Sequence, residues 1–263
     1  MLEWQKLRSE LIIVFSKHFV ILQILGVVQM ICTGHQTFID YKKRREAGME
    51  VLKKFNFKTL LNYAVFAIAM GYLEAAVVVY LRLLYYPEGF QFPLKIIPTD
   101  VAIVELGREL STIVMLWFAA RTFNGRFRER FIIFIFMFGV WDLFYYFWLK
   151  VLLNWPASWL EWDILFLIPA PWIGPWLAPA LVSIGFIVVT ILLWLQPEKF
   201  DGPAFSKKVW LVEIICALLI LISFFWETAN VVRGGLPEYY PWWLFFAAYA
   251  LGFGTFLRAY LKS

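Results

Sequence analysis

The chain has 263 residues, of which 62% are hydrophobic, 20% aromatic and only 16% charged, with a formal net charge of +5. Soluble domains are roughly 45–50% apolar and about 25% charged, so this composition, with a mean hydropathy of +0.71, is that of an all-α integral membrane protein. It excludes a soluble enzyme, a nucleic-acid reader, a disulfide scaffold and a disordered tail, and it makes the lipid bilayer the one obligatory partner.

Residues 1–48 read as an N-terminal extension to a membrane core of residues 49–263. Leu11–Thr33 is long enough to cross a bilayer, but Lys17 and His18 interrupt it and the basic run Lys42–Arg45 follows. Two readings stand side by side. The segment adds a seventh helix with its N-terminus outside, or it precedes a self-sufficient core that opens at Met49. No small-residue cleavage site follows it, which argues against a secretory signal.

A crossing helix needs about 20 mostly apolar residues. That rule predicts a six-helix core at Leu60–Leu84, Val101–Ala120, Phe131–Leu149, Leu177–Leu195, Val209–Trp226 and Trp242–Leu261. Between the third and fourth lies Trp155–Trp176, rich in tryptophan and holding Pro156, Pro169, Pro171 and Pro175. Proline removes a backbone donor and disfavours helix at the residue before it. The apolar run Ile164–Ile173 is also too short to cross, so this stretch is expected to be interfacial or re-entrant.

The loops orient the six spans. Lys53, Lys54, Lys58, Arg121, Arg126, Arg128, Arg130, Lys199, Lys207, Lys208, Arg258 and Lys262 fall on one side, against Arg82, Lys95, Lys150 and Arg233 on the other. Cytoplasmic loops carry the excess of Lys and Arg. The core is therefore expected in the cell membrane, with both its ends in the cytoplasm. Aromatics such as Trp155, Trp159, Trp176, Tyr239, Tyr240 and Trp243 gather toward the outer interface, where tryptophan and tyrosine form belts.

Ionisable residues inside a membrane are costly and face a bundle interior or a cavity. At about 100° per residue, four helices each carry a single polar stripe. The first holds Glu74 and Arg82 beside Ala67, Gly71 and Ala75; the second holds Glu105, Arg108, Glu109 and Thr112. The third holds Gly139, Asp142, Tyr145, Tyr146 and Lys150, and the fifth holds Glu213, Cys216, Ser223, Glu227 and Asn230. The small residues of the first stripe would let a neighbouring backbone come close. By depth, the acidic members lie in the outer half of the membrane.

These stripes define a candidate outward-facing cavity lined by Glu74, Arg82, Glu105, Arg108, Glu109, Asp142, Tyr145, Tyr146, Lys150, Glu227 and Asn230. Five carboxylates there face three cations. A carboxylate without a partner takes up a proton or a bound cation. The leading expectation is binding or transport of a small solute, a cation or a proton-linked substrate. The runner-up is a membrane-embedded enzyme acting on a lipid or isoprenoid, with one carboxylic acid as proton donor. The third is a non-catalytic subunit whose polar network only holds helices in register.

No cofactor and no metal site is expected. No nucleophile elbow, phosphate loop or zinc helix occurs, the two histidines, His18 and His35, sit near the N-terminus, and Cys32 and Cys216 lie in separate apolar runs. Two short echoes stand out: Trp141-Asp142-Leu143 resembles Trp162-Asp163-Ile164, and Tyr85-Tyr86-Pro87 resembles Tyr239-Tyr240-Pro241. In so aromatic a sequence both are expected by chance. Oligomeric state is left open.

Overall fold

A computed structural model describes residues 57–95, 97–201 and 204–263. The N-terminal extension, with its seventh-helix and start-site readings, lies outside these residues, as do Lys53 and Lys54. The described chain is mostly helical. Helices α1 (Phe57–Tyr85), α2 (Thr99–Arg121) and α3 (Phe127–Leu153) come first, then strands β1 (Trp162–Phe166) and β2 (Trp172–Pro175). Helix α4 (Leu177–Leu195), a 3-10 turn (Pro197–Asp201), α5 (Lys207–Phe224), the short α6 (Thr228–Val232) and α7 (Trp242–Lys262) complete it.

Among the described residues, five stretches are long and apolar enough to cross a membrane: α1, α3, α4, α5 continued through α6, and α7. Helix α2, with 23 residues, has the length but carries Asp100, Glu105, Arg108, Glu109 and Arg121. The stretch expected to be interfacial or re-entrant is an antiparallel hairpin. Trp162 pairs with Pro175, Asp163 with Gly174 and Ile164 with Ile173, and the register shifts before Phe166. Aromatic and β-branched residues favour these strands, and Pro169 and Pro171 lie in the turn between them. Among the described residues this hairpin is the one sheet.

Helix α3 is the centre, packed against α1, α2 and α4, while α5 packs on α7. Two glycines set the closest approaches. A Cβ on Gly71 would lie 2.9 Å from the Trp141 carbonyl oxygen, and one on Gly139 would lie 2.7 Å from the Ser183 carbonyl oxygen. Hydrogen in place of a side chain therefore lets α1 meet α3, and α3 meet α4, backbone to backbone. Ala67, Leu116, Ile133 and Met137 fill the core around these crossings, each fully buried.

The ends of α3 show how its length is set. At its start the Arg126 N–H donates to Glu129 Oε2 at 2.9 Å, and Arg126 Nε donates to Glu129 Oε1 at 2.8 Å. At its finish Asn154 adopts the left-handed conformation, with φ of 52°, a common helix stop. Lys150 Nζ donates there to the Asn154 carbonyl at 3.3 Å and the Pro156 carbonyl at 3.0 Å, tying the residues just past the helix back to its last turn.

The hairpin lies across one end of the bundle. On one side it meets α1 and α2. On the other, Trp172 stacks on Phe224 with ring centroids 5.7 Å apart, and the Thr228 hydroxyl donates to the Pro171 carbonyl at 2.6 Å. Leu211, Ile215, Leu218, Phe246 and Leu251 are among many large apolar side chains left exposed on the helices, the surface a lipid-embedded protein presents.

Candidate functional site

Beneath the hairpin, polar groups from four helices and β1 form a set of hydrogen-bonded and ion-paired clusters, buried or half-buried and within electrostatic reach of one another. Its first node is Arg108 on α2. The guanidinium is ion-paired with Glu74 of α1 and, at 2.8 Å, with Glu105 one turn earlier on α2. The Thr112 hydroxyl, one turn further, lies 3.2 Å from Glu74 Oε2 and 3.1 Å from the Arg108 carbonyl. Spacings of three and four residues on α2 put Glu105, Arg108, Glu109 and Thr112 on the face that meets α1 and α3.

Glu109 is 6% exposed and forms no ion pair among the described residues. Its Oε2 accepts the backbone N–H of Leu167, in the hairpin turn, at 2.8 Å. One carboxylate thus joins α2 to the hairpin. On the other side of the bundle Asp142 of α3 accepts the Ser183 hydroxyl of α4 at 2.8 Å. The close α3–α4 approach at Gly139 makes that bond possible.

The second guanidinium, Arg82, is buried near the end of α1 and ion-paired at 3.1 Å with Asp163 of β1. It stacks on Trp155 at 3.9 Å and on Phe90 at 4.6 Å, a planar cation held between aromatic faces. Burial pushes the Asp163 carboxyl up to about 6, against the pull of Arg82 beside it. Arg82 Nη1 and Asp163 Oδ2, a donor and an acceptor, have no partner among the described residues. Buried groups of this kind hold water or a ligand.

Tyr145 lies near both nodes. It lies within electrostatic reach of Asp163, Arg82, Arg108 and Asp142. Tyr146, next to it, packs against Trp155 and Trp176 with centroids 6.4 and 5.4 Å away and also feels Asp163 and Asp142.

The structure therefore brings Glu74, Arg82, Glu105, Arg108, Glu109, Asp142, Tyr145 and Tyr146 together. It leaves three candidates elsewhere. Lys150 is spent on the carbonyls that close α3. Glu227 and Asn230 stand beyond the end of α5, where Asn230 Nδ2 donates to Glu227 Oε2 at 2.9 Å and to the Leu236 carbonyl at 2.7 Å. The Tyr239 N–H approaches Glu227 Oε1 at 3.4 Å. These two residues brace the α6–α7 connection, because α5 stops at Phe224 and the stripe does not continue through it.

Asp163 and Ser183 are members that sequence reasoning left out of the site. The Trp-Asp-aliphatic echo was the available signal for Asp163, since Asp142 and Asp163 prove to be electrostatic neighbours. A cavity of about 150 Å³ lies on the loop after α1, lined by Tyr86, Pro87, Glu88, Gly89, Gln91 and Lys95. Among the described residues no three acidic, histidine or cysteine side chains converge closely enough to hold a metal ion. No protein-family model, curated protein or solved structure matches the chain.

Proposed function

We propose that this protein is a six-helix membrane carrier that binds a proton or a small cationic, proton-linked solute in the network under its hairpin. One observation supports the reading above others. Glu74, Glu105, Glu109, Asp142 and Asp163 share that network with two guanidiniums, Arg82 and Arg108. Five carboxylates against two cations leave an excess of three negative charges, and two of the five, Glu109 and Asp142, form no ion pair among the described residues. Carboxylates at membrane depth are tolerated when they take up a proton or a cation, and they mark ion and substrate paths. The two without an ion pair, Glu109 on α2 and Asp142 on α3, are each held by one neutral donor, which suits a mobile proton better than a chelated divalent ion.

In this reading α2 is the sixth crossing helix, its charged half turned toward α1 and α3. The Lys and Arg of the α2–α3 and α4–α5 connections and of the C-terminus lie at the end away from the hairpin. The positive-inside rule then puts the hairpin outside and both ends of the core in the cytoplasm of a cell membrane. Arg108 holds Glu74 and Glu105 in place, Arg82 seats the hairpin, and the tyrosines orient the bound species. Access from outside requires the hairpin to move.

The structural alternative, a network that only fixes helix register, draws on the tight α3–α4 contact at Gly139 and Ser183. Infrared difference spectroscopy on the purified, lipid-reconstituted protein separates the two. The carrier reading expects a carboxylic-acid C=O band that bleaches when the pH is raised, with part of it absent in Asp142→Asn and part in Glu109→Gln. A band that neither variant alters, with only thermal stability changing, would favour the structural role.

A further inference from the structure

Glu213 lies outside the hairpin network and takes no part in the reading above. It sits about two turns inside α5 from the basic end of that helix. Around α5, the exposed apolar residues Leu211, Ile215, Leu218 and Ile222 project to the side opposite Glu213, by the roughly 100° step per residue. Glu213 and the buried Cys216 therefore face the seam between α5 and α7. There Glu213 Oε1 is fully shielded and has no hydrogen-bond partner among the described residues.

The opposing residue on α7 is Gly252. A Cβ at that position would lie 3.2 Å from Glu213 Oε2 and 3.3 Å from the Cys216 Cβ, tighter than ordinary packing. The missing side chain is what gives the carboxyl its space. Of the other titratable groups on the two helices, the Tyr260 hydroxyl donates to the Leu192 carbonyl at 3.2 Å and Lys262 is exposed. The Tyr249 hydroxyl donates to the Leu181 carbonyl at 2.9 Å, and Lys207, Lys208 and Arg258 are exposed and make no ion pair with Glu213 among the described residues. From β2, which also touches α5, no ionisable side chain is offered.

We infer that the α5–α7 seam is a second, separate proton-binding site, with Glu213 as its carboxyl group and the niche at Gly252 as its walls. A lone carboxylate among Cys216, Gly252 and apolar side chains has neither a counter-charge nor the several further oxygens that a metal cation takes. A proton is the one ligand that a single carboxyl binds unaided. Such a group is the target of an apolar carbodiimide. The acid proton moves to a carbodiimide nitrogen and the carboxyl oxygen adds to the central carbon. The acyl group then migrates to nitrogen, and nothing leaves.

The test treats the full-length protein in lipid with dicyclohexylcarbodiimide and maps the adduct by peptide mass spectrometry. The Glu213 peptide is expected to gain the mass of one whole reagent at neutral pH. The water-soluble carbodiimide should leave it unmodified. Raising the pH should slow the labelling, approaching about tenfold per pH unit once the carboxylate predominates. The adduct should vanish in Glu213→Gln and fall in Gly252→Ala, where the added methyl crowds the carboxyl.

An unlabelled Glu213 in the wild-type protein would overturn the inference. So would labelling independent of pH, equal labelling by the water-soluble reagent, or protection by sodium at constant pH. Adducts on Glu109 or Asp142 fall on other peptides, so the fate of the hairpin network is read separately.

Discussion

The Leu167 backbone N–H donates to Glu109 Oε2 at 2.8 Å, so a carboxylate on α2 holds the turn of a hairpin that covers the polar network. A hydrogen bond to an ionised acceptor is roughly twice as strong as a neutral one. The state of Glu109 and the seating of the hairpin are therefore linked. Glu109→Gln keeps an acceptor, whereas Glu109→Ala leaves the Leu167 N–H unpaired at a cost of about 1–3 kcal/mol. Hydrogen exchange should show residues 163–170 opening about tenfold faster or more in Glu109→Ala, with a smaller change in Glu109→Gln. Equal protection in all three proteins would mean that the bond does not seat the hairpin.

The Arg82–Asp163 pair is buried on both sides, with side chains 8% and 3% exposed. Removing one member of such a pair leaves the other charge stranded and costs about 3–5 kcal/mol. Arg82→Met and Asp163→Leu are each expected to lower the unfolding midpoint in detergent. The double variant should recover much of the loss, because no uncompensated charge remains. Additive losses would show that the two side chains act independently.

Asp163 also imposes a pH dependence. Its carboxyl sits at about 6 in the folded protein, above its ordinary 3.8, because burial outweighs the attraction of Arg82. The folded state thus holds this proton more tightly than the unfolded chain does. Its contribution to stability falls as the pH rises from about 4 to about 6 and is level above that, a loss of up to about 3 kcal/mol. Thermal unfolding across this range should show the slope in the wild-type protein and its absence in Asp163→Asn. A slope of the opposite sign would mean that the ion pair outweighs burial.

Gly139 is the hinge of the α3–α4 contact, with the Ser183 carbonyl oxygen 2.7 Å from where a Cβ would stand. Gly139→Ala must push the helices apart, costing about 1–3 kcal/mol, and lengthen the Asp142–Ser183 bond. Gly107, on the open face of α2, has nothing within 4 Å of such a Cβ. Gly107→Ala should be neutral or stabilising by up to about 1 kcal/mol. Equal unfolding midpoints for the two variants would contradict the close-contact account.

Much of this was legible in the sequence because membrane burial simplifies it. The apolar run Leu177–Leu195 matches α4 residue for residue, and the ends of the other long helices shift by a few residues. The stripes on α1, α2 and α3 were readable for the same reason: a helix has one period, and costly groups must share the side away from lipid. That legibility stops where the helical period ends. Lys150 occupies the last turn of α3, where capping carbonyls claim its amine. Glu227 and Asn230 lie past the end of α5, where the helical wheel no longer applies. Asp163 is on a strand, so no helical stripe included it, and Ser183 is a lone hydroxyl on an otherwise apolar helix. Its partner is set by the glycine across the interface.

The most direct test of the proposed role is proton flux into proteoliposomes loaded with a pH-sensitive dye and driven by a potassium diffusion potential. Vesicles holding the wild-type protein should acidify faster than empty ones, and Glu109→Gln and Asp142→Asn should each return the rate to that of empty vesicles while the protein stays folded. Wild-type vesicles no faster than empty ones, or variants as fast as the wild type, would contradict the claim that these carboxylates carry a proton or a proton-linked solute across the membrane.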